Sequence, residues 1–567
     1  MSTGRAVVIG GGVAGLASSI LLAREGYDVE VLEKNAALGG RAGTWSHDGF
    51  RFDTGPSWYL MPQVFEHFYE LVGTSAAEQL DLVRLDPAYR VFYEDTAEPV
   101  DVRSDRADAI ALFEELEPGA GARLDAYLSS AKEVYDLAVA RFLYTTYQSL
   151  LPLLRPDVLR NAARLVGLLV RPLDRHIARS FHDHRLAQVL GYPAVFLGTS
   201  PDRAPSMYHL MSHLDLDDGV LYPRGGLTEV VVSLTRLAEA EGVRVRTGTT
   251  VTQIVTEPVA TSPTTPTTPT RRRPRSLAGD RRTARVTSVR VRATTDPTDP
   301  TDPAGSERTV EADLVVGAAD LHHIETRLLP SALRTYPEKW WRRKDSGPGA
   351  VLVLLGVRGS LPALEHHSLF FTRDWSANFD AVLGSPSRVP DPASLYVCRP
   401  SATDTTVAPP GTENLFVLVP VPADPRLGSG GVDGGGDPRI EAIADAAIAQ
   451  IASWAGIPDL AERVVVRRTI GPADFVTDVN AWSGGALGLG HTARQSAFLR
   501  GRNVSRKVAG LYYAGHSTLP GIGLPMCLIS AEILIKAIRG DTSTGPLPTP
   551  LPPAGPVRNQ PDQAVHA

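Results

Sequence analysis

Short apolar runs closed by glycine alternate with helix-patterned stretches near both ends of the chain. Ala6-Val7-Val8-Ile9 runs straight into Gly10-Gly11-Gly12, which reads as a central parallel strand ending in a turn. From Val13 to Glu25 small and apolar residues recur at helical spacing. Gly26 stops that helix, and Val29-Glu30-Val31-Leu32 is the next strand. The result is a strand–helix–strand unit of roughly thirty residues, the size of a dinucleotide-binding unit. Residues 107 to 190 are helical in pattern, broken by prolines. Leu227 to Glu241 reads as a helix between Gly226 and Gly242. Val243–Val245, Val251–Thr256 and Leu314–Val316 read as strands, the last leading into Gly317-Ala318-Ala319-Asp320. Beyond Ala350, the β runs Val351–Leu355, Leu395–Cys398, Phe416–Val419 and Val464–Val466 predict an antiparallel sheet in a second lobe.

The pattern fails in four places. Pro258 to Arg282 carries Thr-Pro repeats and the cluster Arg271-Arg272-Arg273-Pro274-Arg275, and Thr294 to Pro303 repeats Asp-Pro-Thr. Neither can supply a core, so mobile loops are expected at 257–283 and 294–307. Gly428–Gly436 reads as a flexible tip, and the Pro-rich tail 542–567 is expected to be disordered. Leu150 to Arg179 sets leucines among arginines, a pattern open to two readings: a segment lying in a headgroup plane, or an ordinary helix with a solvated basic face.

Composition narrows the class. The 567 residues are 43% hydrophobic with a net charge of −6, enough for a large core in more than one lobe and without a global pull toward nucleic acid. Cys398 and Cys527 are the only cysteines, and their spacing implies neither a disulfide framework nor a metal site. Arg5 to Gly10 is already a strand, so no signal peptide is expected, and no apolar run is long enough to span a bilayer. The expected place is the cytoplasm or the cytoplasmic face of a membrane.

Three motifs carry chemistry. Gly10, Gly12 and Gly15 form a GxGxxG: Gly10 permits the tight turn, Gly12 lets backbone approach a pyrophosphate, and Gly15 lets the helix pack closely. The helix start at Val13 and Ala14 offers unpaired N–H groups to phosphate. Glu33, followed by Lys34, ends the second strand, where a carboxylate accepts ribose hydroxyls and disfavours a 2′-phosphate. Leu38-Gly39-Gly40-Arg41-Ala42-Gly43 and Phe52-Asp53-Thr54-Gly55-Pro56-Ser57 then add a second clamp, with Arg41 placed for bidentate phosphate contact. A nicotinamide dehydrogenase does not need that clamp; a flavin enzyme using FAD does. The third motif runs from Gly510 through Tyr513-Ala514-Gly515-His516 to Pro520-Gly521-Ile522-Gly523-Leu524-Pro525-Met526. A helix beginning near Leu524 would aim its positive end at the N1 and C2 carbonyl side of a reduced flavin.

Together with Tyr222-Pro223-Arg224-Gly225-Gly226, these segments resemble bacterial-type phytoene desaturases, within the flavin amine oxidase and carotenoid desaturase group. The resemblance covers roughly residues 5 to 540. It implies an α/β fold: a Rossmann-like FAD-binding domain, discontinuous in sequence (1–80, 221–330 and 480–541), and a substrate domain of antiparallel sheet plus helices (81–220 and 331–479). It implies non-covalent FAD held by Gly10, Gly12, Val13, Ala14, Gly15, Glu33, Lys34, Gly40, Arg41, Gly55, Pro56, Ser57, Val251, Ala319, Gly515, Gly523, Leu524 and Met526. It implies FAD-dependent desaturation of phytoene, an apolar polyene reached at a membrane surface, giving neurosporene or lycopene, with a quinone or oxygen as final acceptor. His516 stands where many flavoproteins carry an Asp that bonds the ribityl chain.

The residues mark no carboxylate pair and no Ser/His/Asp set as catalytic; His516 is the one candidate, beside a purely structural reading of it. Rival readings are a carotenoid isomerase, a ketolase or a desaturase of another polyene. An amine oxidase usually needs an aromatic cage at the flavin, and this sequence marks none. A non-catalytic prenyl-lipid carrier would share the fold but would not need Arg41 and the Gly-Pro motif together.

Overall fold

The computed structural model of the chain describes residues 3–148, 162–259, 282–293 and 307–551. Five short segments, apolar except the edge strand β3, form its central sheet: β1 (Arg5–Ile9), β2 (Asp28–Leu32), β3 (Arg244–Arg246), β4 (Leu314–Gly317) and β5 (Leu511–Tyr513). Helix α1 (Val13–Arg24) follows β1, and helix α2 (Leu524–Arg539) follows β5. The strands lie in the order β5-β4-β1-β2-β3, all parallel. Ile9 stands beside Gly317 on one side and Leu32 on the other. The turns that leave β1, β2, β4 and β5 therefore emerge along one edge, the carboxyl edge where ligands of open α/β sheets bind.

Alternation along β1 divides two cores. Ala6 and Val8 pack with α1, α2 and the helix Thr228–Ala240. Val7 and Ile9 pack against a smaller sheet of Thr249–Pro258, Ala284–Ala293 and Glu307–Glu311, to which Val508–Ala509 adds a short parallel strand beside Ala284. The first three strands pair antiparallel in sequence order. The Pro-rich loops expected between them fall almost wholly outside the described residues.

The second lobe is built on a seven-stranded sheet in the order Val464–Ile470, Gly349–Arg358, Thr412–Val421, Leu395–Cys398, His367–Phe371, Tyr89–Tyr93, Val100–Val102. Neighbours are antiparallel except His367–Phe371 and Tyr89–Tyr93, which run parallel. The last two strands of that order come from a stretch the pattern left unassigned. Tyr89-Arg90-Val91-Phe92-Tyr93 gains its identity from the distant strand it joins. The fold is mixed α/β, as expected, with the parallel sheet in the first lobe and this largely antiparallel sheet in the second.

Two expectations of looseness need correction. The tail was expected to be disordered from Thr542, but residues 542–551 pack on the first lobe. Leu547 and Leu551 are 4% and 1% exposed and join the core of α1 and α2. The N–H of Leu547 donates to Glu532, and that of Leu551 donates to the Leu71 carbonyl at 3.0 Å. Lys536 donates to the carbonyls of Ser543 at 2.9 Å and Gly545 at 2.6 Å. Prolines exclude helix, not packing; an extended strap needs only apolar side chains and partners for its backbone. Residues 552–567 lie outside the described residues. The glycine tip 428–436 is tied as well: Gly430 N–H donates to Asp474 at 2.6 Å, and Thr469 N–H donates to Gly431 O at 2.8 Å. Of the segment 150–179, the described part forms the helices Ala162–Val170 and Leu173–Ile177.

Leu551→Ala should expose the end of the strap and cost about 2–3 kcal/mol, the range for a buried leucine with room to relax. Urea denaturation of the two proteins side by side measures it. An unchanged midpoint would show that the strap is not part of the folded core.

Candidate cofactor site

The first turn is shaped by what glycine lacks. Gly10 has φ +109, and a Cβ there would lie 3.0 Å from the Ala319 nitrogen. A Cβ on Gly15 would stand 1.9 Å from the Gly10 carbonyl oxygen, so only glycine lets α1 seat against β1. Gly12 caps α1 without a side-chain hydrogen bond, and its first turn carries no acidic residue. A Cβ on Gly12 would meet only Gly39, 3.6 Å away. Gly12 and Gly39 form an isolated parallel bridge, which lays the Gly-Gly-Arg turn beside the helix start. In that turn Gly40 has φ +57, with its missing Cβ facing Gly12.

Glu33 is 6% exposed at the end of β2. One carboxylate oxygen accepts the Gly11 N–H at 2.8 Å, and the other accepts the Asn35 N–H at 2.9 Å. Each oxygen keeps a further lone pair for a hydroxyl. Lys34 turns away: its ammonium donates to the Thr477 carbonyl and lies 3.4 Å from Asn480 Oδ1, and burial lowers its pKa. Val251 sends its side chain into the core with Ile9 and Leu32.

Arg41 donates from Nε to the Ala486 carbonyl at 3.0 Å, and its Nη2 lies 3.6 Å from Asp320 Oδ2. That Nη2 is buried without a hydrogen-bond partner. Gly55 lets the next segment close on Arg41, because a Cβ would fall 1.8 Å from the Arg41 carbonyl oxygen. Pro56 then leads to Ser57, whose hydroxyl lies 2.7 Å from the Tyr396 hydroxyl; the latter lies 2.7 Å from His367 Nδ1. This chain joins the first lobe to the second. The neighbouring Asp53 takes a structural task. It accepts the N–H groups of Leu227 at 2.8 Å and Thr228 at 3.2 Å, at the start of the helix Thr228–Ala240. Burial lifts Asp53 to about 6 against the pull of those two donors.

The third motif closes the cleft. Gly515 has φ +117, a Cβ there would stand 3.6 Å from Ala14 Cβ, and its N–H donates to Ser530 at 3.0 Å. Gly523, with φ +118, caps α2; no side chain caps it, its first turn holds no acid, and Pro525 sits in that turn. A Cβ on Gly523 would meet only Met526 and Pro525, both at 3.8 Å. Leu524 is buried and Met526 half-buried against the core that α1 and α2 share. Two uncapped helix starts thus belong to helices that pack together, with glycine backbone between them.

His516 Nε2 lies 3.7 Å from Asp320 Oδ2, too far for a hydrogen bond. Burial and the charge of Arg41 push the imidazole down to about 4 despite Asp320. Asp320 itself is raised by burial but brought below its ordinary value by His516, Arg41 and the Trp482 N–H. It also caps the helix Leu321–Arg327 by accepting the His322 N–H at 2.9 Å. Asp320 was not picked out from the sequence. The available signal was its place at the end of β4, next to β1. The fold also gathers His366, His367 and Cys398, one donor atom of each within 4.8 Å of the others, where no metal site is expected from sequence. Burial raises the Cys398 thiol to about 12 and, with Arg399, lowers His366 to about 3, so the thiol stays protonated and that imidazole neutral.

The chain matches the family described as flavin containing amine oxidoreductase over residues 13–533. It belongs to that family. Among curated relatives, it is 40% identical over 535 residues to a carotenoid 3,4-desaturase of Haloarcula japonica, covering 94% of this chain and 98% of the relative. It is 33% identical over 536 residues to the zeta-carotene-forming phytoene desaturase of Myxococcus xanthus, covering 94% and 93%. Among solved structures, the cyclohexylamine oxidase of Brevibacterium oxydans shares the fold with a TM-score of 0.53 at 13% identity, covering 95% of this chain and 99% of that one. As a member of this family the protein is an FAD-dependent oxidoreductase. The site suits that cofactor: open space where a Cβ of Gly12, Gly40 or Gly523 would stand, two uncapped helix starts, an arginine nitrogen without a partner, and a carboxylate at the end of β2.

Glu33→Ala should weaken FAD binding by about 1–3 kcal/mol, the worth of a charge-assisted hydrogen bond, measured by titrating apoprotein with FAD. Equal affinity in the two proteins would make Glu33 a brace for Gly11 and Asn35 alone. His516 adds a pH dependence to apoprotein stability. Unfolded, it takes a proton near 6.5; folded, only near 4. Its contribution is therefore full above about 6.5 and lost as pH falls toward 4. His516→Asn should lose less stability than the parent between pH 7 and pH 4.5. Parallel pH curves for the two would contradict the depressed imidazole.

Proposed function

We propose that the protein is a carotenoid desaturase that removes hydrogen from phytoene at a membrane surface, giving neurosporene or lycopene. The observation that carries this reading is similarity to carotenoid desaturases along nearly the whole chain, substrate lobe included. Bound FAD supplies the hydride acceptor. The proposed holders are Gly10, Gly12, Val13, Ala14, Gly15 and Ala319 at the phosphates, Glu33 at the adenosine ribose, and Gly40 and Arg41 beside them. Gly515, Gly523, Leu524 and Met526 face the ring end. Lys34, Gly55 and Val251 complete the proposed set; the Lys34 ammonium and the Val251 side chain turn to protein, so their part in it is through backbone.

The chain's own contribution is position, dryness and charge. Trp58 stacks on His367 at 4.3 Å and packs among Tyr89, Tyr192, Phe196 and Tyr396, an aromatic wall adjoining the Pro56-Ser57 segment. His367 is kept neutral by burial and by His366, and its Nδ1 is engaged with the Tyr396 hydroxyl. His516, at about 4, is a poor proton acceptor at neutral pH. An allylic cation is delocalised and makes only a modest demand on a base, so the reading needs no dedicated one.

For the membrane, no helix among the described residues is long and apolar enough to cross. The exposed Val166 and Val170 on the helix Ala162–Val170, with exposed Phe498 and Leu499, support contact with a lipid surface. The final electron acceptor in this reading is a quinone or oxygen.

A second reading is desaturation at the 3,4 position of a carotenoid, favoured by the 40% identity to the haloarchaeal 3,4-desaturase. The two part on substrate. The FAD-loaded protein is given vesicles holding phytoene or lycopene, and products are identified by absorption after chromatography. Phytoene turned to coloured product supports the first reading. Conversion of lycopene alone, with absorption moving to longer wavelength, supports the second. Turnover of neither polyene, with FAD bound, would overturn both.

A further inference from the structure

Arg500 is 3% exposed, yet no Asp or Glu among the described residues forms an ion pair with it. Its guanidinium donates instead to four carbonyl oxygens: Thr518 at 3.1 Å, Gln495 at 3.4 Å, Leu489 at 2.9 Å, and His516. Two of those carbonyls belong to the turn between Gly515 and α2. A buried cation neutralised only by dipoles is costly unless an anion arrives to meet it. Its neighbours share the arrangement. His491, also buried, accepts the Ile522 N–H at its Nε2 at 3.2 Å, which fixes the other proton on Nδ1, 2.6 Å from the Tyr208 hydroxyl. That hydroxyl lies 3.0 Å from the Ser496 hydroxyl. Gly521 leaves the room His491 fills, since a Cβ would fall 2.3 Å from Cε1. The segment 489–500 thus holds both halves of the turn, Arg500 at 516 and 518 and His491 at 522. Burial and the charge of Arg500 together keep His491 neutral.

We propose that Arg500 is a fixed positive charge that stabilises the anionic, two-electron-reduced flavin, acting through the turn it binds together with the start of α2. Oxidised flavin is neutral at its ring. Taking up a hydride makes the ring an anion unless a proton follows, so a permanent cation behind the turn favours the reduced form and favours it unprotonated at N1. Arginine suits the place because it does not shed its charge; burial brings it down only to about 10. The inference rests on the ring lying before Leu524, as proposed above. Arg500 is a positioning and electrostatic residue, not a catalytic one.

The test separates charge from hydrogen bonding, using the FAD-loaded protein and sulfite, whose lone pair bonds flavin N5 and leaves an anionic ring. Arg500→Gln keeps donors and loses charge; Arg500→Lys keeps charge with fewer donors. Sulfite affinity should fall at least tenfold in Arg500→Gln, with the flavin potential moving negative, and stay within about threefold of the parent in Arg500→Lys. Equal behaviour of the two variants, whether both unchanged or both losing FAD, would overturn the proposal. Unaltered protein gives an independent reading: its reduction at pH 6 should take up one proton per two electrons, and two protons would overturn the proposal. Gly523→Val is the control for where the ring lies. If it shifts sulfite affinity while Arg500→Gln does not, the proposal fails alone; if neither shifts it, the placement of the ring fails.

Discussion

The close approach of α1 to the end of β1 is the constraint from which the rest of the site follows. A single added carbon at Gly15 would overlap the Gly10 carbonyl, so the helix start and the strand end can share one place only without side chains. With β1 between β2 and β4 and their ends in line, Glu33 and Asp320 arrive on either side of that turn. The same device recurs at Gly55, which closes on Arg41; Gly515 needs glycine for its φ of +117, and lies at ordinary contact distance from Ala14. What the glycines lose in chain entropy is offset by the burial of β1 and α1 on every side.

Charge is arranged around that cleft with a consistent sign at each end. Two helix starts without capping acids, Arg41 and Arg500 supply positive potential, while Glu33 and Asp320 are each occupied by N–H donors or nearby cations. The histidines beside them, His491 and His516, are kept neutral by burial and by those same arginines. The site is thus prepared for an anionic cofactor and does not shift its charge across neutral pH on their account.

The parts legible in the sequence are those where one residue must meet a local demand. Gly10, Gly12 and Gly15 after an apolar run, Glu33 after the next, and Gly523-Leu524-Pro525 opening a helix each announce a turn or a terminus. The parts that were not legible depend on partners distant in sequence. Asp320 gains its meaning from Arg41 and His516, and Arg500 from carbonyls at 489, 516 and 518. Val251 and Lys34 stand near the motif but turn to the protein. Tyr89–Tyr93 takes its place from the strand His367–Phe371 that it joins far along the chain, and the strap 542–551 is Pro-rich yet ordered by two leucines and a lysine.

The central claim is that the glycine turns of β1 and α2 form one FAD site along the carboxyl edge of the parallel sheet. The most direct measurement is a crystal structure of the protein loaded with FAD. The account expects the ribose at Glu33, the pyrophosphate against the backbone of Gly10 to Gly15, and the isoalloxazine ring before Leu524. Density for the pyrophosphate away from Gly10 to Gly15, or a ring that does not approach the start of α2, would contradict it.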